Sequence, residues 1–194
     1  MGQELNGGTG EVDRFGFALA LSNDGQTLAV GTFYENGFGN DKPGYVQVYR
    51  FDAASSSWIE HGQRLVGSAD GINFGLSVDM TADASVLVVG SSRATTDVGG
   101  FRSGAVYTYR FLNGLWQKMG PPIEGLFVVS IQFDEMFLLD NKFLTVYTFF
   151  KQNAFGVQVG VSDDGSFLAA TAPLSNHDGL DSGSVRFFES APIE

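Results

Sequence analysis

Large apolar side chains return at every second position in three separate stretches of the chain. Phe15, Phe17, Leu19 and Leu21 do so first, then Phe74, Leu76, Val78 and Met80, then Phe155, Val157, Val159 and Val161. The positions between them are small or polar: Gly16, Ala18 and Ala20; Gly75, Ser77 and Asp79; Gly156, Gln158 and Gly160. A period of two sends alternate side chains to opposite faces of an extended backbone, so each stretch predicts a β-strand. Each ends in a short polar turn and is followed by a second apolar run: TLAVG (27–31), VLVVG (86–90) and FLAAT (167–171). These runs are apolar at nearly every position, the pattern of a strand covered on both faces. After a polar loop comes a third run rich in β-branched and aromatic residues: GYVQVYRF (44–51), GAVYTYRF (104–111) and GSVRFFE (183–189). Two copies add a fourth, WIEHGQRLVG (58–67) and WQKMGPPIEG (116–125). Asn113-Gly114 separates the third and fourth runs of copy two, a strong signal for a two-residue hairpin.

Four short antiparallel strands repeated along a chain predict β-propeller blades. The expected fold is therefore all-β and β-propeller-like. It has about three four-stranded antiparallel blades in an incomplete or open arc, with a non-repeat insertion. A sandwich is the alternative, but it would not need three in-register copies. The blade units fall at about 10–67, 68–125 and 151–190 within one repeat region spanning 1–194. Residues 2–7 match the outer-strand segment 62–67 (Gly2-Gln3-Glu4-Leu5 against Gly62-Gln63-Arg64-Leu65) and predict the outer strand of a partial blade. The chain is thus expected either to belong to a longer propeller with further repeats or to self-associate, removing an exposed sheet edge. The copies start 59 and then 81 residues apart, and the surplus lies at 126–150, which contains no glycine or proline. This atypical insertion reads either as an added pair of strands or as sequence foreign to the fold, such as translated non-coding sequence.

Composition narrows the partners. The chain carries a net charge of −11, against a nucleic-acid partner, because phosphate binders present basic patches. Cysteine is absent, which excludes disulfides, thiolate metal sites and a Cys nucleophile. The most apolar stretch, 126–150, holds Asp134, Glu135, Asp140 and Lys142, so no membrane span is expected. The first ten residues, MGQELNGGTG, lack the basic flank and apolar core of a signal peptide.

The Phe-Gly starts, the polar turns and the Gly-x-Val of the third run together resemble FG-GAP repeats, which build the β-propeller of integrin α-chains. The resemblance covers about residues 1–125 and 151–190. Its Phe-Gly half stands at Phe15-Gly16, Phe74-Gly75 and Phe155-Gly156. The Gly-Ala-Pro half departs from the pattern at Gly31-Thr32-Phe33 and Gly90-Ser91-Ser92, and Thr171-Ala172-Pro173 keeps only the Ala-Pro. The resemblance implies a secreted or cell-surface protein. It also implies that, where calcium binds, it does so in the turn joining the first two strands. Here those turns are Ser22-Asn23-Asp24-Gly25-Gln26, Thr81-Ala82-Asp83-Ala84-Ser85 and Ser162-Asp163-Asp164-Gly165-Ser166, and the family's closing acidic residue is absent. A calcium site needs several oxygens converging on one point. Asx side chains and glycine account for such turns without metal. Asp163 and Asp164 are the calcium candidates, and no other cofactor is expected.

The opposite end of the blades carries the longer loops, and function sits preferentially on loops held by a rigid scaffold. The ligand-binding candidates there are Glu35, Asn36, Asn40 and Asp41 in the first unit; Arg93, Asp97 and Arg102 in the second; and Asn176, His177, Asp178 and Asp181 in the third. In integrin-like propellers this face contacts ligand, so the resemblance implies the same face here. No Gly-x-Ser-x-Gly, His-Glu-x-x-His or phosphate-loop motif occurs, and the only imidazoles are His61, expected at the surface of an outer strand, and His177. No catalytic residue is assigned. Trp58 and Trp116 recur at equivalent positions and are expected to pack between blades. The expected function is a non-catalytic binding or adhesion module that presents propeller loops to a protein or glycan. The alternatives are a propeller enzyme such as a glycan lyase or hydrolase, or a mis-predicted gene product without independent function.

Overall fold

The computed structural model describes residues 3–7, 14–32, 43–68, 71–98, 100–125, 129–131, 148–150, 154–175 and 182–189. Every helix or strand among them is a β-strand. In the first sheet β1 (Ala18–Leu21), β2 (Thr27–Gly31), β3 (Tyr45–Asp52) and β4 (Ser57–Glu60) lie side by side in chain order. There β5 (Leu65–Val66) also pairs with β3. The second repeats the plan with β6 (Gly71–Met80), β7 (Val86–Ala94), β8 (Ala105–Leu112), β9 (Leu115–Lys118) and β10 (Ile123–Glu124). Within 126–150, β11 (Val129–Ile131) pairs antiparallel with β12 (Thr148–Phe150). The last sheet holds β13 (Val159–Val161), β14 (Phe167–Ala172) and β15 (Ser184–Glu189). All neighbours are antiparallel, so the three repeats are propeller-like blades in an open arc. The Asn113-Gly114 hairpin forms as the sequence predicts: Leu112 pairs with Leu115, and both turn residues have positive φ (52° and 82°), as a type I′ turn requires.

Each outer strand, expected as one run, is two short pieces laid against the same inner strand. In the first blade the break falls at Gly62, whose φ of 82° leaves the extended region. A Cβ there would come within 2.8 Å of the Trp116 ring. In the second it falls at Pro121-Pro122, which offer no N–H to the ladder.

The blades pack face to face through two cores. The first gathers Ala29, Val46 and Val48 with Phe74, Val78, Leu87, Val89, Tyr109 and Trp116. The second gathers Val88 and Val106 with Phe155, Leu168, Ala170 and Ala172. Phe-Gly has a specific job at both junctions. Phe74 and Phe155 are each 1% exposed, and the following glycine is pressed onto the preceding blade. A Cβ on Gly75 would sit 2.7 Å from the carbonyl oxygens of Thr32 and Tyr45, and one on Gly156 would sit 2.8 Å from that of Ala105. Reciprocally, Gly31 and Gly90 admit the carbonyls of Gly75 and Gly156, where any side chain would collide. A glutamine clamps the outer rim: the Gln63 side-chain amide accepts from Trp116 N–H (2.9 Å) and donates to Trp116 C=O (2.7 Å). Gln3 treats Trp58 in the same way, accepting at 2.6 Å and donating at 3.5 Å. Segment 3–7 therefore stands to the first blade as segment 63–67 stands to the second. Finally, the β1–β2, β6–β7 and β13–β14 turns form a relay: Asn23 N–H donates to Ala82 C=O (3.1 Å), and Ala82 N–H to Asp163 C=O (3.0 Å).

The period of two is present, but the face it buries changes along the arc. In β6, Val78 and Met80 point into the core, whereas in β1 the buried face belongs to Ala20 while Leu19 and Leu21 are 61% and 57% exposed. No described sheet precedes β1 to cover them. Likewise β14, whose sequence reads as covered on both faces, alternates, with Phe167 exposed and Leu168 buried, because no described sheet follows it. His61 also departs from expectation. It is half-buried, stacked on Phe111 at 4.0 Å, and burial, with Arg50 nearby, pushes its pKa below the usual imidazole value.

Candidate functional site

Two regions of the surface are candidate sites. One is the groove where the inner strands of the three blades converge. It has a volume of about 490 Å³ and is lined by Phe17, Ala18, Leu19, Leu76, Ser77, Val78, Val157, Gln158 and Val159. None of these side chains titrates. The Ser77 hydroxyl is committed to the Gly156 carbonyl at 2.9 Å. The groove offers apolar contact but no acid–base pair.

The other region is the β7–β8 loop of the middle blade, residues 95–104, on the end of the strands expected to carry function. It is held at several points. Thr96 and Gly100 exchange backbone hydrogen bonds of 3.0 Å, and Thr96 Oγ1 meets Ser103 Oγ at 2.8 Å. Gly104 N–H donates to Ala94 C=O, closing the base. Glu124, on β10, accepts from Val98 N–H at 2.6 Å and so ties the tip to the outer strand. A loop fixed in this way presents Val98 and Phe101, 71% and 61% exposed. Arg102, half-buried, lies over the Phe101 ring at 5.0 Å, a cation–π arrangement. Its backbone has φ 54°, and its Nε is buried with no hydrogen-bond partner among the described residues.

Of the candidates named from sequence, this loop gathers Asp97, exposed in the turn, and Arg102. Arg93 lies near the end of β7, half-buried and opposite Ile72. Glu35, Asn36, Asn40, Asp41, Asn176, His177, Asp178 and Asp181 lie outside the described residues. Val98, Phe101 and Glu124 were not singled out from sequence. The apolar pair standing between Asp97 and Arg102 in a polar loop was the available signal.

Asp163 and Asp164 lie at the other end of the strands. Asp164 Oδ1 accepts from Ser162 Oγ (2.6 Å), Ser166 N–H (2.9 Å) and Ser166 Oγ (2.7 Å). Those donors stabilise the carboxylate and lower its pKa to about 2. Asp24 and Asp83 make the same turn with Ser22 and Gln26, and with Thr81 and Ser85. Asp24, Asp83 and Asp164 thus sit one to a blade, each bound to its own turn. Among the described residues no three His, Cys, Asp or Glu side chains are grouped to hold a metal. Trp116 sits between the first two blades, 2% exposed and donating Nε1–H to His61 C=O at 2.9 Å, whereas Trp58 is half-buried and packs edge-on against Phe51 of its own sheet at 5.5 Å.

No family model and no curated protein matches the chain. Among solved structures it is similar to Kuenenia stuttgartiensis hydrazine synthase, with TM-score 0.39 and 15% identity over 96% of this chain and 49% of that one. It is also similar to the Pseudomonas aeruginosa periplasmic gluconolactonase PpgL, with TM-score 0.37 and 16% identity over 90% of this chain and 57% of that one. The chain spans about half the length of these two structures. The propeller-like assignment rests on the three sheets themselves.

Proposed function

We propose that the chain is a non-catalytic recognition module of FG-GAP-like propeller blades, contacting a protein or glycan through the loop face that carries residues 95–104. The observation that carries this reading is the pinned β7–β8 loop with Phe101 and Val98 exposed and Arg102 stacked on the ring. Binding hot spots favour aromatic and arginine anchors, and anchors already fixed lose little freedom on binding. A propeller enzyme, such as a glycan lyase or hydrolase, would instead want titratable groups in the central groove. The groove's apolar lining speaks for recognition. On the family resemblance, such a module works outside the cell.

The test is a binding screen of the purified chain against an arrayed glycan library and extracellular protein ectodomains, paired with lactone-hydrolysis and glycan-cleavage assays. A ligand that binds the native chain and loses at least tenfold in affinity with Phe101→Ala and with Arg102→Ala supports the proposal. Turnover of any of these substrates overturns it, as does a ligand indifferent to both substitutions.

A further inference from the structure

We propose that two copies of this chain associate head to tail, each joining its first blade to the other's third, to close a six-bladed ring. Six lies within the usual range for propellers of about four to eight blades.

Four features of the fold point the same way. Both junctions within the chain join the trailing face of one blade to the leading face of the next, and the described sheets leave one of each uncovered. The uncovered leading face displays Leu19 and Leu21. The uncovered trailing face displays Val185 and Phe187, 53% and 76% exposed. Their counterparts in the first blade, Val46 and Val48, are fully buried by the second blade.

The first Phe-Gly pair is built for a junction that the single chain does not make. Gly16 holds φ 87°, matching 86° at Gly75 and 84° at Gly156. Yet among the described residues nothing lies within 4 Å of where its Cβ would be. The same left-handed glycine is kept without the neighbouring blade that excludes a side chain at the other two.

The turn relay is directional and open at both ends. Asn23 gives its N–H to the second blade and Ala82 gives its own to the third. Among the described residues, Asp163 N–H has no following carbonyl and Asn23 C=O has no preceding donor. Asp163 of one copy and Asn23 of the other are the missing pair.

The outer edge of β15 has no partner strand among the described residues. Segment 3–7, held by the Gln3–Trp58 clamp in the position of an outer strand, has no inner strand of its own. Placing it along the other copy's β15 completes a blade and covers both edges. The junction differs from the internal two at one point. Thr171 stands where Gly31 and Gly90 admit a carbonyl, so the blades sit further apart at that level. The arrangement repeats a contact the fold already makes, and a heterologous contact that closes on itself after two copies does not polymerise.

The measurement is mass by light scattering on native chain at tens of micromolar. The proposal expects twice the 20.8 kDa chain mass. Leu19→Asp and Phe187→Asp change exposed residues on opposite faces, and each variant alone should run as a single chain. Mixed together they should pair again, more weakly than the native chain, because the native trailing face of one meets the native leading face of the other. Recovery on mixing also shows that both variants are folded. The milder pair Leu19→Gln and Phe187→Gln repeats the experiment with less perturbation. A native chain of 20.8 kDa throughout overturns the proposal, as do variants that remain paired, either mixture failing to recover, or a mass that climbs past two copies with concentration.

Discussion

Substituting alanine at the glycine of each Phe-Gly pair separates two costs that are usually fused. All three glycines share nearly the same positive φ, so each alanine carries the same backbone strain, about 1–2 kcal/mol for an L-residue in the left-handed region. At Gly16 that is the whole cost for a single chain, since no described atom crowds the site. At Gly75 the new methyl meets two carbonyl oxygens at 2.7 Å, both on the backbone of the preceding blade, so the sheets must part. Overpacking of that kind adds about 1–3 kcal/mol. At Gly156 the neighbours are one carbonyl at 2.8 Å and the Val106 methyl at 3.2 Å, and a methyl yields more readily. The expected order of destabilisation is Gly75→Ala, then Gly156→Ala, then Gly16→Ala, with the first about 1–3 kcal/mol above the last. Urea unfolding reads this as a fall in midpoint at constant slope. On heating, each kcal/mol corresponds to about 2–4 °C in a chain of this size. The series belongs in the Phe187→Asp background, where copies do not associate and Gly16 reports on one chain alone. Equal losses at Gly16 and Gly75 would refute the claim that the glycine serves the junction between blades, leaving only the local turn.

Gln63→Ala removes both hydrogen bonds of the rim clamp at an exposed site and should cost about 1 kcal/mol, measured by urea unfolding; Gln3→Ala, which has one short bond and one long, should cost less. Trp116→Ala should cost about 3–5 kcal/mol by the same measurement, because the ring is buried and its N–H bonded. Asp24, Asp83 and Asp164 all have folded pKa values below their ordinary 3.8, so their ionised forms favour the fold. That contribution is complete above about pH 4 and is lost as pH falls through each folded pKa, which for Asp164 is about 2. Thermal melts should therefore be flat in this respect from pH 7 to 5 and decline below 4, and Asp164→Asn should shrink the decline. His61, lowered from 6.5 by burial, should titrate below that value by NMR; its neutral form favours the fold, so its contribution is present above pH 6.5 and fades as pH falls through the folded pKa. Glu124→Ala removes the acceptor for Val98 N–H and should speed hydrogen exchange at that amide while leaving the β7–β8 ladder protected.

Periodicity carried much of the fold into view. A strict alternation in three copies fixes strand identity, because a one-residue slip would invert every side chain. Asn-Gly fixes its hairpin by the sign of φ. The direction of the alternation was not legible: β1 and β6 carry the same pattern, and only the presence or absence of a neighbouring sheet decides whether Leu19 or Val78 is hidden. The split outer strands were written at Gly62 and Pro121-Pro122 but read as continuous, since each run recurs as one block in both copies. The Gln–Trp clamp was half visible: Gly-Gln-x-Leu repeats at 2–5 and 62–65, yet its partners lie 55 and 53 residues on, and no local rule joins them. At the candidate site, loop position was legible from length and polarity. Which side chains stand out was not, because the loop that carries Phe101 is held in part by a hydrogen bond that crosses from β10 to Val98.

The relay from Asn23 to Ala82 to Asp163 also bears on how such a chain grows. Each blade presents one kind of end to its predecessor and another to its successor, so the order of the units has a sense, like the letters of a word. A duplicated stretch of genetic material encoding one blade would arrive with both ends already matched to what flanks it. No new contact would have to be invented for the extra unit to fold. The surface loops, which lie off this chain of contacts, would then be free to diverge from copy to copy, and in this protein they are the segments that have.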